Sequence, residues 1–181
     1  QDAGRVDGKA LTDDLNQFLL KKFGAEKLAS KWSGPTILLN YALMEEKNLK
    51  AAEVETAASA FLLSRPGIAQ VYTRTQLEQG SVPDGRLGKL MQRAWNRQVS
   101  GDLVLVSKPY WYFGSGKSGT SHGSPYAYDT NVPLMIMGAA IRPGYYSQYA
   151  EVVDIAPTLA HLLQLRPPAA AEGRVLTEAL K

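Results

Sequence analysis

The sequence has no cysteine, only two histidines and no long hydrophobic run. Without cysteine the chain forms neither disulfides nor thiolate metal sites, which leaves its compartment open. A membrane helix needs about 20 consecutive apolar residues, and no stretch approaches that length. Charge of one sign is also scarce. The formal net charge of +3 is the balance of 20 basic and 17 acidic residues scattered along the chain. No Lys/Arg cluster marks a nucleic-acid patch. The chain opens at Gln1 with neither a start methionine nor a signal peptide, the expectation for a processed, proteolysed or cloned piece. What is present is ordinary for a globular protein: 181 residues, 45% hydrophobic, enough for one domain with a sizeable core.

Periodicity predicts alternating helices and strands. Residues 8–23 read as a helix with Asp7 as cap, an apolar face of Leu11, Leu15, Phe18 and Leu19, and Gly24 as left-handed stop. Gly34-Pro35 breaks the chain before a short strand, Thr36 to Leu39. A helix from Ala51 to Leu63 ends at Arg65-Pro66-Gly67, and Ile68 to Thr73 is the next strand. A loop over 80–85 leads to a helix from Leu87 to Gln98. Leu103 to Val106 is continuously apolar, a strand buried on both faces. The connection 107–131 is long, as functional loops often are. A strand over Val132 to Met137 and a helix opening at Asp154 and running to residue 165 close the chain. This alternation predicts an α/β layered fold, a sheet flanked by helices. The segment 30–85 is expected to make a small lobe of its own.

The loop carries three motifs. Gly114 to Gly119 fits G-x-G-x-x-G, but a dinucleotide fingerprint needs a helix immediately after it. Thr-Ser-His-Gly-Ser-Pro follows instead. Gly116-Lys117-Ser118 suggests a phosphate loop, yet the position of its first glycine is held by Trp111. Gly119-Thr-Ser121-His-Gly123 fits the G-x-S-x-G elbow of serine hydrolases, with Asp154 and His161 following in the required order. Neither neighbour of that loop has the strand-to-helix context. Asp154 and His161 also lie about 10 Å apart along one helix, at about 1.5 Å per residue, too far for a triad hydrogen bond. Ser121 as a nucleophile is therefore the lesser enzymatic alternative. The third feature is His122 itself, on a Gly/Ser-rich loop. By residue type alone it is either a hydrogen-bonded loop histidine or a metal ligand.

The segment Gly119-Thr120-Ser121-His122-Gly123-Ser124-Pro125-Tyr126, followed by Tyr128-Asp129-Thr130 and Val132-Pro133-Leu134, resembles the last metal-ligand segment of the alkaline phosphatase superfamily. It is most similar to the zinc-dependent branch of secreted alkaline phosphatases and type I nucleotide pyrophosphatase/phosphodiesterases. Val153-Asp154-Ile155-Ala156-Pro157-Thr158-Leu159 resembles that family's C-terminal helix start, and Val71-Tyr72-Thr73-Arg74 is also similar. The resemblance implies two zinc ions, a Thr or Ser nucleophile, a phosphate ester substrate and an exported, periplasmic or extracellular protein. It implies that His122 completes one zinc site, that Asp129 orders the loop and that Asp154 caps a helix.

The other ligands that the family uses are missing. There is no Asp-His dipeptide, and His161 is the sole other histidine. One imidazole cannot hold a catalytic zinc. The expectation is therefore a C-terminal fragment of a phosphatase or phosphodiesterase, inactive and weakly zinc-binding by itself, whose partner is the missing N-terminal half. A non-catalytic binding module of the same fold is the alternative. The aromatic run Tyr110 to Phe113 is expected to cover a sheet edge or core rather than to line a substrate entrance. A sheet cut partway is also expected to self-associate.

Overall fold

The computed structural model describes residues 2–181. Asp7 ends a three-residue strand, β1 (Gly4–Val6), and caps the helix after it. Its carboxylate accepts from Lys9 N at 2.9 Å and Ala10 N at 3.1 Å, two donors that no helical carbonyl can reach. Helix α1 (Gly8–Phe23) then runs to Gly24, whose φ of 67° suits glycine and lets its N–H close on Leu20 O. Leu11, Leu15 and Leu19 are buried, and Phe18 stacks on Phe61 with ring centres 4.7 Å apart.

Strands β2 (Ala29–Ser33) and β3 (Thr36–Leu39) form a hairpin. Asn40 caps α2 (Tyr41–Glu46) by accepting from Leu43 N. Helix α3 (Ala51–Leu63) and strand β4 (Ile68–Thr73) match the expected boundaries. Thr73 and Gln76 then make a reciprocal capping box that starts α4 (Arg74–Gln79). That T-x-x-Q signal was available in the sequence. Helix α5 (Arg86–Ala94) precedes the central strand β5 (Leu103–Ser107), and β6 (Trp111–Phe113) pairs in parallel with β1.

Among the described residues the main sheet has the order β2-β3-β5-β4, antiparallel at each step. Strand β5 shows why its apolar run does not alternate. Leu103 and Leu105 face a core built with Leu15, Leu19, Leu28, Ile37, Val54 and Leu62. Val104 and Val106, on the other face by the two-residue period, join Tyr72, Leu77, Met91 and Trp95. Both faces are covered by helices, α1 and α3 on one and α4 and α5 on the other. The expectation of a strand buried on both faces is met in an antiparallel sheet.

The chain divides into two compact units, one up to Thr130 and one from Asn131 to Lys181. The second contains a 3₁₀ turn (Val152–Asp154), a helix, α7 (Ile155–Leu162), that follows the short α6 (Ala127–Thr130) in chain order, and a bridge between Ile141 and Leu180. Thr158 is fully buried there, and its hydroxyl accepts from Leu176 N at 3.0 Å.

Three expectations need correction. The helix expected over 87–98 stops at Ala94, because Trp95 turns extended and its indole N–H donates to Gly101 O at 3.2 Å. Asn96 and Ser100 then close a turn. No strand forms over 132–137: no other described segment pairs with it, and a strand exists only with a partner. The last helix is shorter than 154–165, spanning Ile155 to Leu162. Asp154 does not cap its amides. The carboxylate turns back to accept from Glu151 N at 2.9 Å and reaches across to Arg174 N at 2.8 Å.

Candidate functional site

The Gly-rich stretch after β6 is irregular but tethered. Gly114 N donates to Val6 O at 2.9 Å, and the Arg5 guanidinium donates to the carbonyls of Gly116 and Ser118. Gly119 and Gly123 flank the histidine turn with φ of 121° and 83° and open space around them. Their glycine identity answers backbone conformation, not crowding. His122 stands exposed between them, and its ring makes no hydrogen bond among the described residues.

The chain after His122 is pinned. Ser124 N donates to Asp129 Oδ2 at 2.9 Å, Arg86 Nη1 donates to Pro125 O at 3.1 Å, and Tyr126 O–H donates to Ser107 O at 2.6 Å. A single turn, α6 (Ala127–Thr130), presents Asp129 and Tyr128. Tyr110, at the start of the aromatic run, has a φ of 64°, donates its backbone N–H to Tyr128 Oη at 3.1 Å and stacks on that ring at 5.1 Å. Ser124, through its side chain and then its backbone N–H, holds the Asp129 carboxyl below its ordinary value, and nearby His122 adds to the effect. The expected loop-ordering role of Asp129 is thus visible as a hydrogen bond.

These residues border a cleft of about 660 Å³ that His122, Ser124, Asp129, Tyr110 and Tyr128 share with β5, β6 and Met91. The aromatic run serves two roles. Trp111 and Phe113 pack on the main core, with Phe113 against Trp32 at 5.2 Å, and all four residues, Tyr110 to Phe113, also border the cleft. The tyrosine scaffold of Tyr110, Tyr126 and Tyr128 is what sequence reasoning missed. Its signal was the Y-x-Y spacing one residue after Pro125.

Zinc does not fit the residues of this chain. Among the described residues no three His, Cys, Asp or Glu side chains converge, whereas a catalytic zinc needs three protein ligands. His122 and Asp129 are two donors, and one Asp129 oxygen already accepts from Ser124. The context that a Ser121 nucleophile needs is lacking as well. The Asp154 carboxylate is committed to Glu151 N and Arg174 N, and Ser121 lies in a loop followed by no helix until Ala127. That same delay removes the dinucleotide reading of Gly114 to Gly119.

A second polar cluster sits apart from this cleft. Asp102, 2% exposed, accepts from Leu39 N, Tyr41 Oη and Arg74 Nη1. Burial, and then Asp102, push the Tyr41 hydroxyl pKa up. Buried Glu55 accepts from Thr75 N at 3.1 Å, tying α3 to α4.

No protein-family profile matches the chain. It is 33% identical over 181 residues to a calcium-transporting ATPase of Myroides odoratus, covering 99% of this chain and 33% of that protein. It is 26% identical over 167 residues to alkaline phosphatase PafA of Elizabethkingia meningoseptica, 92% of this chain and 30% of the other. With alkaline phosphatase PhoK of a Sphingomonas species it shares 31% identity over 177 residues, 91% of this chain and 31% of that one. The crystal structure of wild-type alkaline phosphatase PafA superposes with a TM-score of 0.88 at 25% identity, over all of this chain and 34% of that chain. The chain thus spans about a third of the length of these relatives. Agreement in sequence and fold along the whole chain means that it belongs to the alkaline phosphatase superfamily.

Proposed function

We propose that this chain is the C-terminal portion of a metal-dependent phosphoric ester hydrolase, a phosphatase or phosphodiesterase, and that His122 is one of its zinc ligands. The remaining ligands and the nucleophile then come from the rest of the polypeptide, and the chain by itself does not turn over substrate. The observation that carries the reading is the state of His122. It is exposed, free of hydrogen bonds among the described residues, and held on a loop fixed at Arg5, Ser124, Pro125 and Tyr126. An imidazole without a hydrogen bond, exposed on a pinned loop, suits a site that another part of the protein completes. An exported protein with two zinc ions follows from the same resemblance.

The test uses p-nitrophenyl phosphate and its bis ester with added zinc. The isolated chain is expected to show no turnover above a heat-treated control. The complete protein is expected to hydrolyse at least one ester, and His122→Ala to cost it more than the ~10–100-fold typical of an outer-shell residue. Turnover by the isolated chain that His122→Ala abolishes would overturn the fragment reading. Unchanged turnover of the complete protein carrying His122→Ala would overturn the ligand role.

A further inference from the structure

Glycine stands at positions 114, 116, 119 and 123 of the stretch that carries His122. No residue type loses more conformational freedom when a loop is ordered. Neither helix nor strand holds this stretch among the described residues. Backbone pairing ends at Gly114, whose N–H donates to Val6 O at 2.9 Å. From Ser115 to Gly123 the hydrogen bonds among the described residues come from a single side chain. Arg5 Nη1 donates to Gly116 O and, at 3.3 Å, to Ser118 O.

Arg5 is itself held. It lies on β1 directly opposite Tyr112 of β6. By the two-residue period both side chains stand on the face away from buried Val6. The guanidinium sits over the Tyr112 ring, 4.8 Å from its centre, a cation–π contact. Strand backbone and ring therefore fix the guanidinium, and the guanidinium fixes the two carbonyls that flank Lys117. A guanidinium suits this task, because it keeps its charge at any working pH and carries several donors in one rigid fork. Downstream of the histidine, Arg86 Nη1 donates to Pro125 O at 3.1 Å. His122 thus lies on a short span between anchored carbonyls at 118 and 125.

We propose that Arg5 is the positioning residue of the His122 loop: it touches neither His122 nor the cleft, and it sets where the imidazole stands by holding the backbone just upstream. This rests on the proposed role of His122 in ester hydrolysis. A displacement of about 1 Å at a reacting group can cost about 100-fold in rate, so a loop this rich in glycine needs such an anchor.

Lys117 supplies the probe. It is exposed, and trypsin cleaves after lysine, here between the two carbonyls that Arg5 holds. The complete protein is digested under native conditions, and cleavage after Lys117 is followed by mass spectrometry. Hydrolysis of p-nitrophenyl phosphate and its bis ester, and the urea midpoint, are measured on the same preparations. Arg5→Ala is expected to speed that cleavage about 10-fold or more, as local opening does, and to lower kcat/KM by up to about 100-fold, with the urea midpoint unchanged. Arg5→Lys keeps the charge without the fork and should fall between Arg5→Ala and the parent in both rates. Unchanged cleavage in Arg5→Ala would overturn the anchoring. Faster cleavage with unchanged hydrolysis would overturn the positioning role and leave the enzymatic reading standing. Lost hydrolysis with a matching fall in the urea midpoint would make Arg5 a residue of the fold and overturn the proposal as well. A parent protein that hydrolyses neither ester would overturn the enzymatic reading, and the cleavage rates would then decide the anchoring alone.

Discussion

Arg74 Nη1 lies 2.6 Å from Asp102 Oδ1, joining the first residue of α4 to the residue just before β5. Arg74 N also donates to Asp102 O at 2.7 Å. The Asp102 carboxylate reaches further, accepting from Leu39 N at 2.7 Å and Tyr41 Oη at 3.0 Å. One buried side chain thereby fixes β3, α2 and α4 around the central strand. Asp102→Ala is expected to destabilise the fold by about 3–5 kcal/mol, the range for removing one member of a buried pair. Arg74 keeps Glu78 at 3.0 Å, which favours the lower end. Urea unfolding would measure it, and a loss under ~1 kcal/mol, the value of an exposed pair, would show the network to be marginal.

Gly67 precedes β4 with a φ of 79°, and a Cβ there would lie 2.2 Å from the Trp111 ring. Gly67→Ala meets both a left-handed backbone and a packed indole. The expected cost is about 1–3 kcal/mol from overpacking, with backbone strain added. The replacement should lower the urea midpoint without changing the slope.

Acid sensitivity is expected in the unit from Asn131 onward. Arg174 forms two bonds to Glu178, at 2.7 and 3.0 Å, and holds its pKa down at about 2. Hydrogen bonds from Glu151 N and then Arg174 N hold Asp154 below its ordinary value as well. A carboxyl whose folded pKa is depressed contributes fully above its unfolded value and loses that contribution as pH falls through the folded one. For Glu178 the window runs from about 4.5 down to about 2. Glu178→Gln should flatten the acid limb of the stability profile across that window. An unchanged limb would remove Glu178 as its source.

His122→Ala should leave stability within about 0.5 kcal/mol, as surface substitutions do, because the ring is exposed and makes no hydrogen bond among the described residues. Zinc titrated into the isolated chain should give only weak heat in calorimetry. A tight stoichiometric site lost in His122→Ala would mean that ligands converge which the fold does not bring together.

Local signals were legible where the physics is local. Asp7 and Gly24 bracket α1, and the Arg65-Pro66-Gly67 break ends α3. Strands β4 and β5 stood out as apolar runs between turns. The elements that went unseen are mostly short and depend on distant partners. Strand β1 exists by pairing with β6 more than 100 residues away, and Ala29 to Ser33 has no apolar pattern of its own. At the candidate site the His122 loop was legible as a motif. The tyrosines that pin it were not assigned that role, since Tyr126 finds Ser107, and Tyr128 finds Tyr110, only after folding.

The sequence by itself determined helices α1 and α3 with their bounds, the apolar central strand and the family to which the chain belongs. Helices follow from sequence because each backbone bond closes four residues away and each cap lies at the end it serves. Tertiary structure alone decided that the main sheet is antiparallel, that Asp154 binds Arg174 N instead of capping α7, and that Val132 to Met137 stays unpaired. A strand owes its hydrogen bonds to another segment, so an apolar run can state a preference that only a neighbour can satisfy.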